Sequence, residues 1–185
     1  MSMAASPLVS RQKLGALVVM GVSGCGKTSV GKLLASQLGY TFIEGDSRHP
    51  EANVEKMRAG IALDDSDRWP WLEILGDELK TSKEVVISCS ALKRSYRDLL
   101  RMRAAGALTF VFLQGSRTTL ATRLTARKGH YMPLSLLDSQ LQTLELPADE
   151  RDVVTIEIDQ PIERIASIAI SHAATIAYRR DETKI

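Results

Sequence analysis

The chain lacks most of what would mark it as secreted, metal-built or nucleic-acid-binding. Its 185 residues include only two cysteines, Cys25 and Cys89, which make neither a disulfide framework nor a cysteine metal site. A reducing compartment, the cytoplasm, fits that scarcity. Charge of one sign is also missing. The 24 Lys and Arg nearly cancel the 22 Asp and Glu, leaving +2 and no overall footprint for nucleic acid or an anionic membrane. Aromatics make up 5%, and nothing basic interleaves Trp69 and Trp71, so these two read as core or substrate-wall packing, not as base-stacking platforms. No apolar run reaches the length of a membrane span. Arg11 and Lys13 before Leu14–Met20 imitate a signal peptide, but a glycine-rich stretch follows at once and leaves no chain for a cleavage site. What remains is ordinary globular composition, 44% hydrophobic and 25% charged, at a length that suits one domain. Residues 1–13 read as a mobile tail and 14–185 as that domain.

The glycine-rich stretch is informative. Gly21-Val22-Ser23-Gly24-Cys25-Gly26-Lys27-Thr28 fills every fixed position of G-x-x-x-x-G-K-[ST], a phosphate-binding loop. The apolar run Ala16–Met20 precedes it and the helical pattern Val30–Leu38 follows, the strand-loop-helix context the motif requires. The glycines let the backbone wrap a triphosphate and turn successive N–H groups inward. The helix adds the positive end of its dipole at the same place. Lys27 is placed to reach the β and γ phosphates, and the Thr28 hydroxyl to hold Mg²⁺.

β-rich runs recur at Ala16–Met20, Thr41–Glu44, Val85–Ser88, Leu108–Leu113 and Val153–Ile158, with helical patterns between them. This alternation predicts an α/β fold: the three-layer α/β/α arrangement of P-loop NTPases, with a five-stranded parallel sheet. Such sheets bind ligands beyond the C-terminal ends of their strands. Two helices are expected between the second and third strands, Pro50–Ala59 and Arg68–Lys80, the second capped by the acidic stretch Asp64–Asp67 with Pro70 in its first turn. The stretch Arg117–His130 carries Arg117, Arg123, Arg127 and Lys128 and no acid. Arg123 and Arg127 share a helix face, and Gly129 breaks the helix. A basic helix and turn after the fourth strand suits a helical lid, about 117–140, closing over a nucleotide.

Taken together, these motifs resemble the gluconate kinases, or gluconokinases, of the small P-loop type. The likeness runs from about Val18 to Pro161. It rests on Met20–Thr28, on Gly45-Asp46 with His49-Pro50, and on Asn53–Met57 with Gly60. The more specific pieces are Leu63-Asp-Asp-Ser-Asp-Arg-Trp-Pro-Trp-Leu72 and Cys89-Ser-Ala-Leu-Lys-Arg-Ser-Tyr-Arg-Asp98, followed by Ala126–His130 and Asp149–Asp152. The resemblance implies phosphorylation of D-gluconate at its 6-hydroxyl by ATP, giving 6-phosphogluconate and ADP, in a homodimer. Cys25 stands where the family usually has Ser, and Arg48 where an apolar or aromatic residue commonly precedes the His. Shikimate kinases share the fold but usually carry Asp-x-Asp after the second strand and Gly-Gly-Gly on the third, which this chain lacks. A kinase for another sugar acid, or a nucleotide-dependent switch, remains as an alternative.

The roles follow from phosphoryl-transfer chemistry, in which alignment and charge neutralisation dominate. Residues Gly21 to Thr28, together with Arg123 and Arg127, are the candidates for the nucleotide. Asp46, after the second strand, is the candidate to align the sugar hydroxyl and accept its proton, or to touch Mg²⁺ alongside Thr28. Gluconate's carboxylate and polyol need a cation and several hydrogen-bonding groups. His49, Arg58, Lys93, Arg97 and His130 are the candidates, with Arg97 favoured for its bidentate geometry; the alternative for Lys93 or Arg97 is a pair with a surface acid, for example Asp98 or Glu78. Asp64, Asp65 and Asp67 read as caps and ion pairs and not as a metal cluster. Cys25 lies at a helix N-terminus beside Lys27, two features that lower a thiol pKa and would make it oxidation-sensitive, but the favoured reading is an inert small residue.

Overall fold

The five apolar runs are the five strands of one parallel sheet: β1 (Ala16–Met20), β2 (Thr41–Glu44), β3 (Val85–Ser88), β4 (Leu108–Gln114) and β5 (Val153–Glu157). The structure is a computed structural model that describes residues 14–126 and 133–182. The tail expected over 1–13 falls outside those residues, as do Arg127, Lys128, Gly129 and His130 of the expected lid.

The strand order is β2-β3-β1-β4-β5. β1 and β3 are buried along their whole length, which is why they read as unbroken apolar runs. Around the sheet lie α1 (Lys27–Leu38), α2 (Glu51–Arg58), α3 (Asp65–Thr81), α4 (Arg94–Arg103), α5 (Arg117–Ala126), α6 (Leu134–Thr143) and α7 (Ile162–Glu182). The β1-to-β2 crossover runs one way along the sheet, and β2-to-β3, β3-to-β4 and β4-to-β5 run the other. Right-handed crossovers then put α3 and α4 on the face opposite α1. α1 packs with α7, and α3 packs with α4. The chain reverses direction around β1, so a crevice opens at the carboxyl ends of β1 and β3. The phosphate loop leaves β1 at that crevice.

α3 begins one turn earlier than its pattern suggests. Asp64 caps it by accepting the Asp67 N–H, and the Asp67 carboxylate accepts the Asp64 N–H in return, at 3.0 Å each. This reciprocal box draws Asp65 to Asp67 into the helix, so Pro70 falls in the second turn. There it leaves the carbonyl of exposed Ser66 to water.

Behind β3 lies a buried charge cluster. Arg97 is fully buried. Its Nε and Nη2 donate to the Glu150 carboxylate at 2.5–3.1 Å, and its Nη1 to the carbonyls of Ala91 and Leu92 at 2.9 and 3.2 Å. Nη2 also reaches the Glu145 carbonyl at 3.2 Å. Arg101 completes the cluster on Glu150 and Asp152. Ala91 has φ +43°, a left-handed conformation that costs a residue with a Cβ roughly 1–2 kcal/mol. Arg97 therefore braces the strained turn after β3 and ties it to the loop before β5. Burial raises the Glu150 pKa, but the bonds from Arg97 and Arg101 outweigh it and hold the carboxyl below its ordinary 4.5.

A depressed carboxylate stabilises the fold above its unfolded pKa, and that stability is lost as pH falls through the folded value. Urea unfolding should therefore show stability dropping as pH falls below about 4.5. Glu150→Ala should cost about 3–5 kcal/mol at neutral pH, because it leaves Arg97 buried and unpaired, and should flatten that acid dependence. A loss under about 1 kcal/mol would mean the cluster is not structural.

Candidate active site

A cleft of about 670 Å³ opens above the carboxyl ends of the strands. Its floor is the phosphate loop and the start of α1, with Ser23, Gly24, Gly26, Lys27 and Thr28 on its surface. Gly26, at φ +98°, makes the left-handed step that starts α1 and would strain any residue carrying a Cβ. The Val22–Ser23 peptide is engaged at both ends. Lys27 Nζ donates to the Val22 carbonyl at 3.1 Å, and Gln140 Oε1 of α6 accepts the Ser23 N–H at 2.7 Å. A phosphate oxygen that takes the Ser23 N–H has to replace Gln140, whereas the Lys27 ammonium has further hydrogens to offer. Gly21 N–H is committed to the Ser90 carbonyl at 3.3 Å, and Val22 and Cys25 are buried beneath the loop.

Across the cleft stands a 3-10 turn, residues Gly45–Arg48, that follows β2 directly. It presents Asp46, and His49 follows it; both line the cleft. Gly45 is wedged against β3, where a Cβ would lie 1.9 Å from the Ser88 carbonyl oxygen, so only glycine fits. Its N–H donates to Ser88 Oγ at 3.0 Å, and its carbonyl accepts the Trp71 indole N–H at 2.8 Å. The His49 ring stacks on Trp71, 4.0 Å between centroids. Burial lowers the His49 pKa to about 4, with Asp46 opposing that shift and Arg68 reinforcing it.

The outer wall is α2 and the chain after it, with Val54, Met57, Arg58, Ile61 and Leu63. α3 adds Trp71 and Arg68. Arg68 is 7% exposed, yet among the described residues its hydrogen-bond contact is Tyr96 Oη at a long 3.5 Å. A guanidinium carries five donors, so most of Arg68's capacity faces the cleft. α5 and α6 close the remaining side with Arg123, Leu124, Leu136, Ser139 and Gln140. Arg123 donates to the Ile158 carbonyl at 2.9 Å. Arg117 is turned aside and pairs with Asp138 of α6 at 2.6 Å.

The cleft thus gathers Lys27, Thr28, Asp46, His49, Arg58 and Arg123, all expected from the sequence. It does not gather Arg97 or Lys93. Arg97 spends its guanidinium on Glu150 and three carbonyls, as above. Lys93 pairs with Asp65 at 2.8 Å, beside Tyr96. The bidentate geometry that recommended Arg97 for a substrate carboxylate serves an internal one. Arg127 and His130 lie outside the described residues. Arg48 turns from the cleft to Glu78 at 2.9 Å. Asp64, Asp65 and Asp67 do serve as a cap and as partners of Lys93 and Lys56. Among the described residues no three His, Cys, Asp or Glu cluster as a metal site.

Arg68, Gln140 and Asn53 went unassigned in the sequence. Arg68 left a signal: it falls on the stripe of Trp71, Leu72, Leu75 and Leu79, the buried face of α3, where a charged residue is out of place without a partner.

A phosphate loop under a polar cleft on this sheet defines a P-loop phosphotransferase. The shikimate kinase family matches residues 23–176. The Gluconobacter oxydans gluconokinase is 48% identical over 84% of this chain and 89% of its own, and the thermoresistant gluconokinase of Escherichia coli 46% over 83% and 90%. The crystal structure of a gluconokinase from Sinorhizobium meliloti superposes with TM-score 0.87 at 50% identity, over 94% of this chain and 99% of that one. Shikimate kinase from Acinetobacter baumannii shares the fold at 18% identity and TM-score 0.55. The chain belongs to the gluconokinase family.

Cys25 is 1% exposed, and burial raises its pKa although Lys27 and the loop amides pull the other way. Burial likewise pushes Cys89 up to about 12. Burial thus outweighs the helix N-terminus, in line with an inert Cys25. A disulfide reagent such as DTNB should leave both thiols unmodified in the native protein and titrate both once it is unfolded. Rapid native labelling of Cys25 would contradict this environment.

Proposed function

We propose that this protein transfers the γ-phosphoryl group of ATP to the 6-hydroxyl of D-gluconate. The observation that carries the reading is the opposition across one cleft of a complete phosphate loop and a nearly buried, under-partnered arginine, Arg68. The triphosphate lies on the loop, with Lys27 at its β and γ phosphates and Arg123 at its flank. The sugar acid lies between the Asp46 turn, α2 and α3, with its carboxylate on Arg68 and Arg58 at the outer wall. This assignment replaces Arg97 with Arg68 on the same bidentate chemistry.

Asp46 aligns the 6-hydroxyl and accepts its proton as the oxygen attacks. The O6–P bond forms, the bond from Pγ to the β–γ bridging oxygen breaks, and ADP leaves with those electrons. Lys27 and the loop amides hold the charge that develops. Mg²⁺, when bound, neutralises the β and γ oxygens. The Thr28 hydroxyl at the cleft floor and Asp46 opposite suit it, since magnesium in such sites takes few protein ligands and keeps its waters. The stretch 117–140 acts as the lid, within a single domain over 14–185. A homodimer and a cytoplasmic location belong to the same reading. Among the described residues no helix is long and apolar enough to cross a membrane.

A coupled assay of ADP release with ATP, Mg²⁺ and a panel of sugar acids plus shikimate tests the substrate. D-Gluconate should give the strongest stimulation; a flat response across the panel would favour a switch. Lys27→Met and Asp46→Asn should each cut kcat/KM by about 10²–10⁴-fold. Arg68→Met should raise the KM for D-gluconate about 10–100-fold and leave the KM for ATP within a factor of about two. The reverse split would remove Arg68 from the carboxylate.

A further inference from the structure

His49 reaches the cleft with its proton already assigned, and a buried amide on α2 assigns it. Asn53 is 4% exposed. Its Nδ2 lies 2.8 Å from the Asp67 backbone carbonyl, a group that can only accept. The atom facing that carbonyl must therefore be the amide nitrogen, which fixes the orientation of the side chain. The same Nδ2 has a second hydrogen, and His49 Nδ1 lies 3.2 Å away. Two hydrogens on one nitrogen thus serve a carbonyl and an imidazole nitrogen. Nδ1 has to meet an N–H with a lone pair. The ring proton is then on Nε2, and a doubly protonated ring would set N–H against N–H.

The frame around this pair is rigid. The Asp67 carboxylate holds Lys56 Nζ at 2.6 and 2.8 Å and closes the capping box of α3, so its backbone carbonyl has a fixed place. The His49 ring lies at 16° to Trp71, itself 1% exposed and bonded to Gly45. The charged groups near the ring are Asp46 on its own turn and Arg68 on α3, with opposite effects, while burial favours the neutral ring. On α2 the facing group is the neutral Asn53, with Lys56 neutralised by Asp67.

We infer that Asn53 is a positioning residue that holds the His49 ring with Nδ1 as acceptor and the proton on Nε2, a fixed hydrogen-bond donor to a hydroxyl oxygen of the sugar acid. The inference rests on the proposed function for its substrate, but not for the tautomer. It divides the work at the cleft. A hydroxyl has one hydrogen to give and lone pairs to receive with. Asp46 takes the hydrogen, and His49 donates to a lone pair. His49 is thus not a competing base, and the proton of the attacking hydroxyl has one destination. A site that reads a hydroxyl in this way leaves a buried donor unpaired when the hydroxyl is missing, which is a strong source of discrimination.

The test is ¹⁵N NMR of the histidine rings in the ligand-free protein, with His49→Gln identifying the signals. The expected result, at a pH where the ring carries one proton, is a ring protonated on Nε2 with an accepting Nδ1. A Nδ1–H ring overturns the inference whatever the substrate proves to be. Asn53→Ala supplies the functional arm. It should free the tautomer, so that the Nδ1–H form appears, and raise the KM for D-gluconate roughly tenfold with the KM for ATP unchanged. An Asn53→Ala protein that folds and keeps both the Nε2–H signature and its KM overturns the positioning role. If Asn53→Ala fails to fold, the wild-type spectrum still decides. If the spectrum is as expected but D-gluconate is no substrate, the tautomer stands and only the proposed function falls.

Discussion

The placement of Asp46 opposite the phosphate loop depends on how Gly45 is held. Three bonds converge on that residue and its neighbours. Ser88 Oγ accepts the Gly45 N–H and donates to the Glu44 carboxylate, while the Gly45 carbonyl takes the Trp71 indole. One glycine thus joins the end of β2, the end of β3 and the middle of α3. Its missing side chain is what lets the turn lie against the Ser88 carbonyl. A strand that ends in open solvent leaves the residue after it free to wander. Here that residue is pinned by neighbours in the core, and Asp46 inherits a fixed direction. The third strand has no acid at its end, and its serine instead locks the turn that carries one.

The fold was legible because its signals are local and periodic. Buried parallel strands read as apolar runs, and the phosphate loop is a contiguous motif whose flanks test it. α3 was read one turn short because Asp64 and Asp67 satisfy each other, a reciprocity that an acidic run does not advertise. Arg97 was misread for a different reason. Its guanidinium is suited to a carboxylate, but sequence does not say whose, and the carboxylate was Glu150, more than fifty positions away. For Cys25 the inert reading holds over the reactive one, because proximity to Lys27 and a helix end is local, whereas burial depends on the whole packed core. Arg68 could have been caught, since a cation on an apolar stripe calls for a partner.

Charge in the cleft is arranged by burial as much as by residue type. Lys27 and Arg68 line the same cleft, one on the phosphate loop and the other on α3. Between them stand His49, whose pKa burial lowers to about 4, and the exposed Asp46. Two arginines near the cleft are committed elsewhere, Arg48 to Glu78 and Arg117 to Asp138, while Arg58 and Arg123 line it together with Lys27 and Arg68. The positive field of the cleft comes from those four lining cations.

The bond from the Ser23 amide to Gln140 has a consequence for which anions the loop admits. Its acceptor is tethered, so it competes at an effective concentration of roughly millimolar or above, with no entropy of capture to meet. Chloride, a single atom, has few contacts with which to displace it. A polyphosphate presents many oxygens to the loop amides and Lys27 together, and could give up the exchange at Ser23 and still gain. The glutamine thus sets a threshold: the loop is occupied by its own protein until a ligand arrives that can bind at several points at once.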